Sequence, residues 1–216
     1  MEAAGTVSAP WADCLRAFVY DEAWQMRLAE LYYKRAYEAL ADDPAQDWAL
    51  YGDAGYRYAC MMSQRGDVEG SLAVATAILA RAEGNSDFPA IQEASLLQLL
   101  AGCQVHQDLQ DEARLSYLKA YSIMEEAYGR EGSHTFSKLI MCLNTSSFFL
   151  GTGDYDEAAA WLARCEEALH TYEQQGDSAL TEEYRGHLAL SRAALLQATG
   201  HAAEAAAVYD AIPARR

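Results

Sequence analysis

Apolar and polar positions along the chain recur at helical spacing, and short polar turns interrupt them at regular intervals. In "GDYDEAAAWL", Gly153 to Leu162, a glycine suited to ending a helix in the left-handed region precedes Asp154, a helix-capping residue. Glu157, three places on, completes the pattern of a capping box. Similar turns open "GDVEGSLAVA" at Gly66 and "GHAAEAAAVY" at Gly200, with a looser one in "DLQDEARLSY" from Asp108. Aligned on a small residue just inside the helix, the four place Ser71, Ala113, Ala158 and Ala205 in line, 42, 45 and 47 residues apart. Four positions further on stand Ala75, Tyr117, Leu162 and Tyr209, on the same helical face. Twelve positions before lie Ala59, Ala101, Ser146 and Ala193, followed after three by Met62, Gln104, Phe149 and Leu196, among which Gln104 is the polar exception. In this alignment the second stretch carries an extra residue between Asp108 and Ala113, which moves its first helix out of register by one.

Each unit therefore reads as two antiparallel helices packed through small residues around a tight turn, the signature of a helical solenoid. The pattern predicts ten helices, near 10–20, 22–41, 46–65, 67–83, 88–106, 109–128, 134–151, 155–175, 179–199 and 202–212. Pro44, Gly84-Asn85, Gly129 to Gly132 and Gly176-Asp177 punctuate the pairs. No linker or low-complexity stretch divides residues 1–216, so the reading is one domain, with a degenerate helix pair over 10–44 and four clearer repeats over 46–212. The last helix is about half the length of its counterparts before "PARR". That end is expected to be incompletely capped and open to self-association as a homo-oligomer.

The pattern resembles the tetratricopeptide repeat (TPR) family. "ARLSYLKA" (Ala113 to Ala120) fits the family's second-helix pattern, and "ALADDP" (Ala39 to Pro44) matches its repeat ending. The long spacing is similar to that of kinesin light chain type repeats. The stretch from Ala120 to Ala158 matches these best, with a long second helix, a Gly-x-x-x-x-His loop and an Asn-bearing first helix. It departs in having Thr135, not proline, after His134. The resemblance implies an all-α, right-handed superhelical solenoid of antiparallel helix pairs, whose concave groove binds protein or peptide. Carried over residue by residue, the groove positions are Tyr56, Arg57 and Gln64 (with Asp53 and Ser63), Gln98 and His106 (with Ser95), Asn144 and Ser147, and His187 and Ser191 (with Gln197). Asn144 matches the family asparagine whose carboxamide can donate to and accept from a peptide backbone. One arginine and no lysine in this lining argue against the carboxylate clamp of chaperone-tail binders.

Composition narrows the function. Sixteen basic against thirty-two acidic residues give a formal charge of −16, which repels phosphate backbones and anionic membrane surfaces and favours a partner of basic character. The N-terminus has no signal-peptide pattern, and the longest apolar run, Leu72 to Ala80, is too short to span a bilayer. Cys14, Cys60, Cys103, Cys142 and Cys165 are odd in number and scattered, which disfavours disulfides and structural zinc and favours a cytoplasmic location. Glu167-Ala-Leu-His170 has metal-ligand spacing, but the other copy, Glu131-Gly-Ser-His134, lies in a glycine-flanked loop. Glu183 and His187 lack further ligands nearby, no nucleophile elbow exists, and "GDAGYRYA" is not a phosphate loop. The expectation is a non-catalytic binding scaffold without metal or cofactor. The alternative is a sensory or regulatory TPR protein whose groove takes a small signalling peptide or ligand.

Overall fold

The protein is seen in a computed structural model that describes residues 8–42, 47–129, 134–176 and 178–212, with the backbone alone at 178–180. Pro44, Glu131 with most of its loop, Asp177 and the closing "PARR" lie outside the described residues. Ten helices run in chain order: α1 (Ala9–Glu22), α2 (Met26–Ala41), α3 (Trp48–Gln64), α4 (Val68–Ala82), α5 (Ala90–His106), α6 (Gln110–Tyr128), α7 (Thr135–Thr152), α8 (Tyr155–Gln174), α9 (Ser178–Ala198) and α10 (Ala202–Ala211). Among the described residues there is no strand. The fold is all-α, as the periodicity predicts.

The chain divides into two compact units, 1–123 and 124–216, with the boundary inside α6. In the first unit α1 packs on α2, α2 on α3, α3 on α4 and α4 on α5, and α3 also touches α5. In the second, α7 packs on α8, α8 on α9 and α9 on α10, with α7 also beside α9. Neighbours in sequence are thus neighbours in space, and first helices meet first helices.

The turns inside the helix pairs share one hydrogen-bonded design. At Gly66 the chain enters the left-handed region, Gly66 N donates to Ser63 O, and Asp67 N reaches back to Met62 O at 2.9 Å. The same two bonds recur at Gly153-Asp154 and Gly200-His201, closing on Phe149 O and Leu196 O. They recur at Asp108-Leu109, closing on Gln104 O, with Asp108 itself at φ 62°. Asp108 therefore occupies the glycine position, not the capping position assigned to it from sequence. Counted from there, Ala113 falls where Ser71, Ala158 and Ala205 fall, so the helix pair α5–α6 contains no extra residue and is in register. Gln104 also has its explanation: its side chain accepts a 2.9 Å hydrogen bond from Ser116 Oγ across the pair.

A fifth copy of the turn joins α1 to α2. Trp24 N donates to Asp21 O and Gln25 N to Tyr20 O, with Trp24 at φ 56°. This extends the register to Ala17 and Ala29, both fully buried. The N-terminal pair shares the turn and the buried small residues of the repeat, with Trp24 in place of the glycine and Gln25 making no side-chain cap, and α2 begins at Met26, not near residue 22. The paired small residues Ala59, Ser71, Ala101, Ala113, Ser146, Ala158, Ala193 and Ala205 are all 2 % exposed or less. Small side chains at these positions let the helix axes approach, and the larger Tyr33, Leu96, Leu139 and Phe149 fill the remaining core. Asp47, Asp67 and Asp154 cap α3, α4 and α8 by accepting from the backbone N–H of Leu50, Gly70 and Glu157.

Candidate functional site

The helices that open the four C-terminal repeats are α3, α5, α7 and α9, and they carry the groove positions expected from the sequence, one set in each unit. In the first unit, Arg57 Nε donates to both carboxylate oxygens of Asp53, one turn earlier, at 3.1 Å. Its guanidinium stands 5.7 Å from the ring centroid of Tyr33 on α2. This ties the charge to the N-terminal helices while leaving it half-exposed. Tyr56 is half-buried, and burial, with the neighbouring Cys60, pushes its phenol well above the ordinary range. Gln98 has the same register on α5 as Tyr56 on α3, but it is only 9 % exposed, so the packing of α5 turns this position inward. Gln64 and His106 are exposed at the ends of α3 and α5.

Gln64 lines a notch of about 740 Å³ with Met61 and Arg65 of the α3 end and Met26, Arg27, Glu30, Leu31 and Lys34 of α2. Arg65 pairs with Glu30 at 3.3 Å and with Asp67 at 3.0 Å, and Lys34 stands 3.7 Å from Glu38. Arg27 has no ionic partner among the described residues. Cations thus gather at an apolar notch in an acidic protein. The sequence reading missed it because it took the N-terminal pair as degenerate; the usable signal was Arg27, Leu31 and Lys34 at helical spacing.

In the second unit, α7 exposes Asn144 and Ser147, while Thr145 and Ser146 between them are buried. The buried hydroxyls donate to the carbonyls of Met141 and Leu143 at 2.7 and 2.8 Å. Ser147 Oγ likewise donates to Leu143 O at 2.9 Å and keeps its lone pairs for an outside donor. Ser191 on α9 is half-buried and stands two residues before Ala193, as Asn144 stands two before Ser146. α7 packs beside α9, so Asn144 and Ser191 hold equivalent register positions on neighbouring helices. His187, one turn before Ser191, lies 3.7 Å from the Glu183 carboxylate and 5.6 Å from the Tyr184 ring centroid. It lines a hollow of about 900 Å³ formed by α9 and α10.

Nucleophiles are muted. Burial pushes the thiols of Cys14, Cys142 and Cys165 up to about 12 and that of Cys60 up to about 11, which keeps them neutral near pH 7. His170 is exposed, with Nε2 at 3.0 Å from Gln174 Nε2 and Nδ1 at 4.0 Å from Glu173. Among the described residues no group of three or more His, Cys, Asp or Glu side chains is placed to hold a metal ion. No helix there is long and apolar enough to cross a membrane.

No protein-family profile matches the sequence, and no curated protein matches it. Solved structures do. A putative kinesin light chain of Podosopora anserina with nearly identical TPR-like repeats aligns at TM-score 0.66 and 15 % identity, over 93 % of this chain and 92 % of that one. The apo form of RapI aligns at TM-score 0.69 and 13 % identity, over 93 % and 68 %. BtubC from P. vanneervenii aligns at TM-score 0.63 and 16 % identity, over 94 % and 82 %. A Rap protein complexed with competence and sporulation factor gives 0.62 and 16 %, over 93 % and 62 %. The fold is that of the TPR-like helical-repeat proteins. At these identities the likeness concerns the fold.

Proposed function

We propose that the protein is a non-catalytic scaffold that binds a protein or an extended peptide on the exposed faces of its repeat-opening helices. The observation that carries this reading is that α7 exposes Asn144 and Ser147 while Thr145 and Ser146 between them are buried, with Ser191 at the register position of Asn144 on the neighbouring α9. An exposed carboxamide beside an exposed hydroxyl suits the alternating donors and acceptors of a peptide backbone. His187 adds a ring and a titratable nitrogen in the same unit. Arg57, Gln64, His106 and the Tyr56 ring serve the first unit, where Gln98 is buried.

The charge of −16 favours a partner with basic residues, raising encounter rates more than affinity, and disfavours nucleic acid and anionic membranes. Five free thiols support a reducing, cytoplasmic setting. The reading invokes no cofactor, and it takes the whole chain as one repeat array. A second reading is favoured by the likeness to the Rap proteins, one of them solved with competence and sporulation factor: a regulator whose face takes a small signalling peptide.

The test is a peptide-display screen against the purified protein, followed by titration calorimetry of the selected peptide. Asn144→Ala should leave melting unchanged and weaken binding by about 1–3 kcal/mol, roughly 5- to 150-fold. A screen without binders, or equal affinities for wild type and variant, overturns the reading. A selected binder of only a few residues that also shifts the protein's hydrogen-exchange pattern selects the regulator.

A further inference from the structure

The repeat register shows what each internal unit presents to the next. Two positions after the small residue of the first helix come Val19, Met61, Cys103, Phe148 and Leu195, apolar in all five units. Met61, Cys103 and Phe148 are buried, and Cys103 Sγ meets Ser71 Oγ of the preceding helix pair at 3.5 Å. Val19 holds the same position in the first unit and is 62 % exposed. Seven positions before the small residue stand Gly52, Ala94, Leu139 and Gly186 in the later units. A Cβ at Gly52 would overlap the Gln92 carboxamide and lie 2.9 Å from the Phe88 ring, both from the following unit. A Cβ at Gly186 would meet nothing within 4 Å. Among the described residues, nothing covers one half of the repeat-to-repeat interface at Val19 of the N-terminal pair, or the other half at Gly186 of α9.

We infer that this protein assembles head to tail, the α1–α2 face of one copy docking on the α9–α10 face of another as the next repeat would. The two faces differ in shape as such a union requires. The head carries bulk: eight of the thirteen large apolar side chains exposed among the described residues lie between Trp11 and Leu31, and apart from Met26 and Leu31, which line the notch between α2 and α3, they include Leu15, Phe18 and Val19. The tail offers the hollow of about 900 Å³, floored by Gly186, Ala189, Ala207 and Ala211 with Leu190 and Val208. Head on head would oppose bulk to bulk, and tail on tail would leave a void.

At the head, Arg16 and Arg35 stay exposed and share the single carboxylate of Asp13, at 2.8 and 3.3 Å, so that guanidinium groups can meet a carboxylate of a second copy, although Asp21 and Glu22 beside Trp24 offset them. At the tail, Glu204 and Asp210 on α10 have no cationic partner among the described residues. Trp24 is the independent sign of an occupied head. It is 84 % exposed and held at φ 56°, a conformation costly for a bulky residue, and it returns nothing to its own core. Opposed, non-identical faces make the contact heterologous, so association continues beyond a pair into rings or filaments.

Analytical ultracentrifugation up to about 1 mM protein tests this with two variants, Val19→Glu at the head and Gly186→Lys at the tail. Val19 is exposed and Gly186 faces open space, so both should fold as wild type does; Leu15→Glu and Leu190→Glu stand in if either loses helicity. Wild type should form species larger than dimers, and each variant alone should associate at least about tenfold more weakly. An equal mixture should yield a dimer and nothing larger, because one intact head and one intact tail remain. A monomeric wild type, a variant that associates like wild type, or a mixture that stays monomeric overturns the inference.

Discussion

Five residues hold the left-handed position of the turn between paired helices: Trp24, Gly66, Asp108, Gly153 and Gly200. Glycine adopts that conformation freely, aspartate tolerates it, and a tryptophan is strained there. The Gly66, Gly153 and Gly200 turns were readable in the sequence because their glycines announce them. The Asp108 turn was read from the sequence one residue out of register and the Trp24 turn was not read, because a side chain replaces the glycine, and the backbone bonds to Gln104 O and Tyr20 O place both. Relief of this strain is measurable. Trp24→Gly should raise stability by about 0.5–1.5 kcal/mol, since the released left-handed penalty exceeds the added flexibility of the unfolded chain. Asp108→Gly should give less. Chemical denaturation of the two variants checks this, and a destabilised Trp24→Gly would mean that the indole contributes to the fold of the isolated chain.

Apart from the start of α2, four residues later than expected, the helix ends were legible to within two residues, because turn chemistry brackets the helices and a 3.6-residue apolar pattern fills them. The candidate site was less so. Gln98 and Tyr56 share one register position, yet one is buried and the other half-exposed, because the neighbours packed on α5 and α3 differ. Such burial is a property of the assembled pair of helices, not of spacing. The same principle makes two glycines of equal register behave oppositely. Gly52→Ala places a methyl group against Gln92 and Phe88 and should cost about 1–3 kcal/mol. Gly186→Ala enters the open space of the hollow beside α10 and should stabilise by about 0.5–1 kcal/mol. Thermal melts of the two variants compare them directly; shifts of the same sign would mean that the repeat register assigned to α3 or α9 is wrong.

Across the whole molecule, an acidic surface encloses a core in which neutral thiols and phenols replace part of the usual hydrocarbon. Cys14, Cys142 and Cys165 are buried, and the fold holds their thiols up to about 12 against an ordinary value of 9. Burial likewise pushes the Tyr51 phenol from 10 to about 12. A raised pKa in the folded state means that folding favours the protonated form. Its contribution is complete below about pH 9 for the thiols, and it is lost as pH rises from there through about 12. The unfolded chain can ionise these groups in that window, whereas the folded one cannot without admitting water to its core. The formal charge of −16 acts in the same direction, because each further ionisation adds to a surface that already repels itself. In reducing buffer the melting temperature should therefore hold between about pH 7 and 8.5 and fall steadily above about pH 9. Cys165 sits with its Sγ 3.8 Å from Leu139 O, so Cys165→Ala should melt lower at pH 7 yet decline less steeply with pH. A wild-type melting temperature unchanged to about pH 10.5 would show that these thiols are not held neutral by the fold.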